Sequence, residues 1–295
     1  MAVAATGFFD GVHLGHREVI RTLLEYSRKG DGQSLVVTLW PHPRVFLQDG
    51  ARDLRLLTSL DEKTSLLQGM GVGGVEVMPF NSEFASLDAR SYLELLRSRF
   101  AVTGIVLGYD NRFGSDGKTT EQIAAIAESM GMDAVIVPPV EVDGLKVSSS
   151  QIRRCLSQGA VSLASEMLGR DYSLQGVVVG GKRIGRTLGF PTANLRLREP
   201  LKCVPKPGVY LSEVSLQGEM FWGMSNVDVA SLVETHIFDF DRDIYGLDME
   251  VSFVDRIRDE VRFSSFAELK NQQKKDEMSA KNLIFAQYGD HREGH

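Results

Sequence analysis

Short apolar runs alternate with amphipathic stretches through the first half of the chain. The run at 3–6 reads as a strand, and 15–28 places Val19, Ile20, Leu23 and Leu24 at helical spacing. A β-branched run at 34–39 reads as the next strand and ends at Pro41-His42-Pro43. Helical spacing then covers 61–70, with Leu66 and Leu67 inside, followed by a strand at 75–78. The same alternation gives a helix at 89–100, a strand at 104–107, a helix at 121–130 and a strand at 134–137. Strands separated by helices predict βαβ units around a parallel sheet, a Rossmann-like α/β domain.

After about residue 170 the pattern changes. The runs 174–179, 208–214, 220–224, 232–240 and 247–254 are β-like, with glycines and no helices between them. They predict a small antiparallel β-sheet or barrel, followed by a polar terminal helix over 265–285. A helix at 161–168 is expected to carry the link. The expected domains are 1–165, α/β, and 166–295, the β-barrel.

Composition narrows the class. Of 295 residues, 43% are hydrophobic and 24% charged, enough for two packed cores and against disorder as the main state. Lysine plus arginine total 33 against 39 acidic residues, so the net charge is 33 − 39 = −6, which argues against nucleic acid as a partner. Small anionic ligands remain open, because a basic site can sit on an acidic protein. No apolar run reaches the roughly 20 residues of a membrane helix, and the N-terminus does not read as a signal peptide. Two distant cysteines, Cys155 and Cys203, are too few for a disulfide framework. The expectation is a soluble cytoplasmic protein; an oligomer is compatible with the sequence and not implied by it.

The candidate chemistry begins with Gly7-Phe8-Phe9-Asp10-Gly11-Val12-His13-Leu14-Gly15-His16, between a predicted strand and helix. Backbone N–H groups and a helix N-terminus there suit a phosphate. His13 and His16 can donate hydrogen bonds to the charge that builds on transferring phosphoryl groups, which suits nucleotidyl transfer. Gly7, Phe8, Asp10 and Gly15 are the expected binding residues of this loop. A second anion clamp is expected at Ser148, Ser149 and Arg153, where three serines open a helix. Trp40 and His42 read equally as rim or turn residues and as ligand contacts.

The second half carries Gly180-Gly181-Lys182-Arg183-Ile184-Gly185-Arg186-Thr187-Leu188-Gly189-Phe190-Pro191-Thr192-Ala193-Asn194. It is not a Walker loop. Gly185, Arg186, Gly189, Phe190 and Pro191 are expected to wrap a nucleotide's phosphates. Thr192 and Asn194, two apart on an extended chain, present neutral oxygens on one face and suit a magnesium ion bridging ATP phosphates. Glu234 lies among apolar residues in the run 232–240, where a carboxylate needs a partner or a task. It suits a general base that takes a proton from a hydroxyl attacking a γ-phosphate. His236 shares its face; Asp239, Asp241 and Asp243 read as turn and surface residues.

These strings resemble a known family. Loop 7–16 and the serine element are similar to the two signatures of the nucleotidyltransferase superfamily. Leu107-Gly108-Tyr109-Asp110-Asn111-Arg112-Phe113-Gly114 and Trp40-Pro41-His42-Pro43-Arg44 narrow the match to the adenylyltransferase half of prokaryotic bifunctional riboflavin kinase/FAD synthetases. The resemblance implies that Asp110 and its neighbours hold the nucleotide and nearby apolar residues the flavin. The second-half strings resemble the riboflavin kinase module, which implies a six-stranded barrel, Thr192 and Asn194 as magnesium ligands and Glu234 as base. It also implies ATP as co-substrate, with riboflavin, FMN and FAD as substrates and products. The chain departs from the pattern at Asn111, at Gln151, in a short 114–118 stretch and in the short 227–233 connection. Two rivals stay open on the residues: another nucleotidyltransferase with an unrelated β-domain, and a flavin- or nucleotide-binding regulator without catalysis.

Overall fold

The computed structural model describes residues 1–43, 54–181, 185 and 189–289. Arg44 and Arg186 therefore lie outside the described residues. Backbone contacts divide the chain into two compact units, Met1–Gln151 and Ile152–His295.

The first unit is a five-stranded sheet in the order β3-β2-β1-β4-β5. Its strands are β1 (Ala2–Thr6), β2 (Gln33–Trp40), β3 (Gly74–Pro79), β4 (Val102–Gly108) and β5 (Asp133–Val137), all parallel. Its helices are α1 (Leu14–Lys29), α2 (Leu60–Gly69), α3 (Ser82–Ser86), α4 (Ala89–Phe100) and α5 (Thr120–Ser129). β1 is buried along its whole length. Its alternate residues serve two cores: Val3 and Ala5 pack with Ile20 and Leu23 of α1, Ala2 and Ala4 with Leu93 and Leu96 of α4. That two-sided burial explains the unbroken apolar run, since a central parallel strand has no solvent face. A two-stranded hairpin, β6 (Glu141–Val142) and β7 (Leu145–Lys146), follows the sheet.

The division between the units falls inside α6 (Ser149–Gln158). The next helix, α7 (Val161–Leu168), packs on strands of the second unit, β8 (Tyr172–Val179) and β13 (Asp248–Asp259). Between these lie β9 (Ala193–Leu197), β10 (Gly208–Leu216), β11 (Glu219–Val227) and β12 (Val233–Ile237). The six close into an antiparallel barrel in the order β10-β11-β12-β9-β8-β13, and α8 (Phe266–Tyr288) lies against β10, β11 and β13.

Both architectures agree with the periodicity. The pattern did not reveal α3, the β6–β7 hairpin or β9. The first two are five and two residues per element, too short to show a period. β9 alternates apolar and polar residues directly after the glycine-rich string, which masks its start. The run expected over 232–240 leaves the sheet after Ile237, and Asp239 turns the chain at φ 52°.

The short 227–233 connection is a closed hairpin turn. Asp228 Oδ1 accepts from the N–H groups of Ala230 and Leu232, both at 2.8 Å, and Asp228 N donates to the Leu232 carbonyl. The short 114–118 stretch is tied to the start of α4: Ser115 N donates to Leu87 O at 2.8 Å, and Asp116 accepts from Ala89 N.

Candidate active sites

The order β3-β2-β1-β4-β5 reverses direction between β1 and β4, and such a switch point opens a crevice at the strands' C-terminal ends. Loop 7–16 leaves β1 there, and Gly108, Tyr109, Asp110 and Asn111 leave β4 beside it. A turn closed by Val12 N donating to Phe9 O at 3.1 Å puts Gly11 at φ 83°, a conformation glycine adopts without strain. Val12 follows at φ 41°, a costly angle for a β-branched residue, so the fold holds this loop against its own preference.

His13 caps α1. Its Nδ1 accepts from His16 N at 3.3 Å, which places the proton of the neutral ring on Nε2. The two imidazoles stack with centroids 3.6 Å apart and 15° between planes. Burial, then the neighbouring His13 and Lys63, hold His16 well below the usual histidine range, so its ring is neutral at neutral pH. A Cβ on Gly15 would sit 3.3 Å from the His13 ring, so the glycine gives that ring its room.

Two cavities of about 250 Å³ each meet at this loop. One is lined by His13, Gly15, Pro138, Ser148, Ser149 and Ser150 among others. The other is walled by aromatic rings, Phe8, Phe9, Phe84, Tyr92 and Phe113, together with Gly7 and Asn111. His16, Val19, Gly108 and Asp110 line both. Asn111 Nδ2 donates to Thr6 O at 2.8 Å, so its amide is turned toward the end of β1.

The serine element has internal duties as well. Ser148 Oγ accepts from Gln151 N at 3.2 Å and caps α6; Ser149 Oγ donates to Asp10 O at 2.9 Å and joins that helix to loop 7–16. Asp10 is 3% exposed and lines neither cavity. Its carboxylate accepts from the N–H groups of Leu57 and Thr58 at 3.0 and 3.1 Å. Arg153 is half-buried in α6, in the second unit, and is not among the lining residues.

Periodicity did not reveal Lys63, which sits in the first turns of α2 and is 1% exposed. Its Nζ donates to the Phe8 carbonyl at 2.9 Å and lies 3.9 Å from the Phe8 ring centroid. Nothing in Leu60-Asp61-Glu62-Lys63-Thr64 distinguishes it from a surface lysine of an amphipathic helix.

In the barrel, the register puts Glu234 directly opposite Asn194 on β9 and opposite Asn226 on β11. Residues opposite each other in an antiparallel pair share a face with Cβ atoms about 5 Å apart. Thr192 stands one residue before β9, two from Asn194. A Cβ on Gly181 would lie 2.3 Å from Asn194 Nδ2, so the glycine makes the cradle in which that amide rests. Gly185 is equally confined, its Cβ position 2.2 Å from the Phe190 carbonyl, and its own carbonyl accepts from Phe190 N at 2.8 Å. His236 Nδ1 donates to the Pro191 carbonyl at 2.8 Å, and its ring stands edge-on to Phe190 at 5.3 Å. His236 therefore anchors the string 189–192 to β12. Gly189, at φ 88°, supplies the turn into that string.

Two cavities open here too, and Asn194 lines neither of them. One of about 260 Å³ holds Glu234, Asn226, Gly185 and His236, with Met224 and Phe263 among its apolar walls. The other, of about 490 Å³, holds Pro191, Arg242 and Tyr245. Thr192 lines both. Among the described residues no three His, Cys, Asp or Glu side chains gather as a metal cage. Neutral oxygens of Thr192 and Asn194 nonetheless fit magnesium, which takes few protein ligands and keeps water and substrate phosphate oxygens.

Two family profiles match: FAD synthetase over residues 1–151 and riboflavin kinase over residues 168–284. A Listeria monocytogenes protein named bifunctional riboflavin kinase/FMN adenylyltransferase is 34% identical over 298 residues, 98% of this chain and 94% of its own. Proteins of the same name from Bacillus subtilis and Escherichia coli K12 are 32% and 35% identical, over 95% and 96% of this chain and 91% and 92% of theirs. A crystal structure from Streptococcus pneumoniae, described as a macrolide-efflux protein, superposes with a TM-score of 0.86 at 34% identity, covering 95% of this chain and 94% of that one. Among the described residues here no helix is long and apolar enough to cross a membrane. Two profiles in the order of the two units, and relatives aligned almost end to end, establish that the chain belongs to the bifunctional riboflavin kinase/FMN adenylyltransferase family.

Proposed function

We infer that this chain carries both activities of its family and that each belongs to one unit: FMN adenylylation to the first, riboflavin phosphorylation to the second. The observation that carries the first assignment is the meeting of two cavities at His16 and Asp110. The aromatic cavity suits a flavin ring. The cavity beside His13 and the capped end of α6 suits ATP, whose phosphates gain from a helix N-terminus. An oxygen of the FMN phosphate then attacks the α-phosphorus of ATP, and the bond to the departing pyrophosphate breaks. His13 donates through Nε2, and neutral His16 supplies a second N–H, to the charge that develops on the phosphoryl oxygens. Alignment of the two substrates supplies much of the remaining rate, since no covalent intermediate is required. Asp10 acts here by shaping the loop.

In the barrel, Glu234 takes the proton of the ribityl 5′-hydroxyl as its oxygen attacks the γ-phosphorus of ATP, giving FMN and ADP. Riboflavin occupies the cavity that holds Glu234, and ATP the larger one; Thr192, common to both, stands where the phosphate passes. Thr192 and Asn194 would hold magnesium, which offsets phosphate charge when bound. Gly185, Gly189, Phe190 and Pro191 shape the string that approaches the nucleotide. Arg153 and Arg186 are retained as candidate phosphate contacts on sequence grounds. Two free, buried cysteines are compatible with a reducing, cytoplasmic setting.

Product analysis decides the reading. Purified protein given riboflavin, ATP and magnesium should yield FMN and then FAD by chromatography. Flavin binding without either product would instead favour a regulator.

A further inference from the structure

We propose that Lys63 is a positioning residue of the adenylyl-transfer site, a buried ammonium that fixes the carbonyl and ring of Phe8 and lends its charge to the His13–His16 pair. The inference rests on the assignment of loop 7–16 to adenylyl transfer.

A lysine at 1% exposure is rare, because removing an ammonium from water is costly unless something compensates. The compensation here comes from the loop. Nζ donates to Phe8 O at 2.9 Å, faces the Phe8 ring at 3.9 Å and lies 5.6 Å from the Trp40 ring. Phe8 stacks nearly parallel to Trp40, 6.3 Å away, and meets His42 edge-on at 4.1 Å. Phe8 walls the aromatic cavity, so the ammonium holds one side of the flavin pocket from behind.

The charge beside it is that of Asp10 from the loop, and its own field reaches the neutral His16 ring of α1. Burial pushes Lys63 down to about 8, and Asp10 opposes that shift. At neutral pH the ammonium is therefore still charged, and its charge helps keep the His16 ring neutral.

Packing alone does not account for a lysine here. The Phe8 carbonyl has a second donor, Thr38 Oγ1 at 3.2 Å. The Asp10 carboxylate has two backbone N–H donors and the Thr58 hydroxyl. A methionine would fill the same space without the ammonium's desolvation cost; Asp10 would lose a neighbouring cation, but its carboxylate and the Phe8 carbonyl would keep their hydrogen-bond donors. The fold would tolerate the exchange; the site would not.

The test uses full-length protein and three variants of one position. Lys63→Met should keep or raise the melting temperature and keep riboflavin phosphorylation within twofold. It should lower kcat for FMN adenylylation roughly 10- to 100-fold, less than the roughly 10²–10³-fold for a donor on the reacting oxygens, because Lys63 acts through Phe8 and His16. Lys63→Gln retains a donor for Phe8 but not the charge, and should be as slow as Lys63→Met. Lys63→Arg should recover part of the rate. The His16 imidazole resonance, followed by NMR, should titrate at a higher pH in Lys63→Met, as expected on removing a nearby cation. Adenylylation at the wild-type rate in Lys63→Met, full rescue by Lys63→Gln, or a parallel fall in both activities with the melting temperature would each overturn the proposal. Wild-type protein that makes no FAD would instead remove the reading on which it rests.

Discussion

Glu234 is the residue on which the kinase assignment is most exposed to test. A primary hydroxyl attacks poorly until its proton has an acceptor, and Glu234 stands opposite Asn194 across the β9–β12 pair. Glu234→Gln keeps the shape and removes the acceptor, so riboflavin phosphorylation should fall by about 10²–10⁴-fold, the usual loss of a general base. FMN adenylylation, assayed with FMN supplied, should persist; phosphorylation at an undiminished rate would move the role to His236. In the first unit, His16→Ala should slow adenylylation by about 10²-fold or more while leaving the kinase intact. His16 also has a thermodynamic signature. Its folded pKa is depressed, so protons favour the unfolded chain, and stability drains as pH falls below about 6.5, the value of a free histidine. His16→Phe should flatten that part of a melting-temperature profile between pH 7 and 5; an unchanged slope would assign the acid sensitivity to other groups.

At the level of elements, Gly181 and Gly185 pack so closely on the start of β9 and the residues before it that neither has room for a side chain. Gly181→Ala would press a methyl to within 2.3 Å of the Asn194 amide. The expected result is a weakened magnesium requirement curve, with a several-fold higher metal concentration at half-maximal kinase rate, and unchanged adenylylation. The element scale also shows what a reader of the bare chain can see. The strands of the parallel sheet are legible because β1, β2 and β4 are buried on both faces and so appear as apolar runs. The motifs are legible because His13, Gly15 and His16 must stand in one order to cap a helix and line the cavity beside it. Lys63 and β9 are not, for different reasons. Lys63 owes its burial to loop residues more than fifty positions away, and β9 takes its place from pairing with β8 and β12. Periodicity records local faces; it holds no record of what lies across a crevice.

On the scale of the whole molecule, the second unit starts at Ile152 and takes in α7, whose Val161, Ala164, Met167 and Leu168 are buried. A fragment of residues 152–295 should phosphorylate riboflavin and make no FAD. One starting at 166 loses Val161 and Ala164, and should melt at a lower temperature by the equivalent of about 2 kcal/mol or more. Equal melting temperatures would mean that α7 contributes little to the barrel.

The cavities that meet at His16 and Asp110 carry a further consequence. On the assignment proposed above, FMN and ATP would each fill one of them, whereas FAD, the covalent union of a flavin and an adenylyl group, would fill both. A ligand that joins two sites gains from its tether, because the second half binds at a high effective concentration. FAD should therefore inhibit adenylylation competitively, with an inhibition constant roughly tenfold below the KM for FMN. The departing product would then be the slow step, and turnover would follow the level of free FAD. A geometry that brings two substrates together would also recognise what they become; an inhibition constant for FAD at or above the KM for FMN would separate the two cavities.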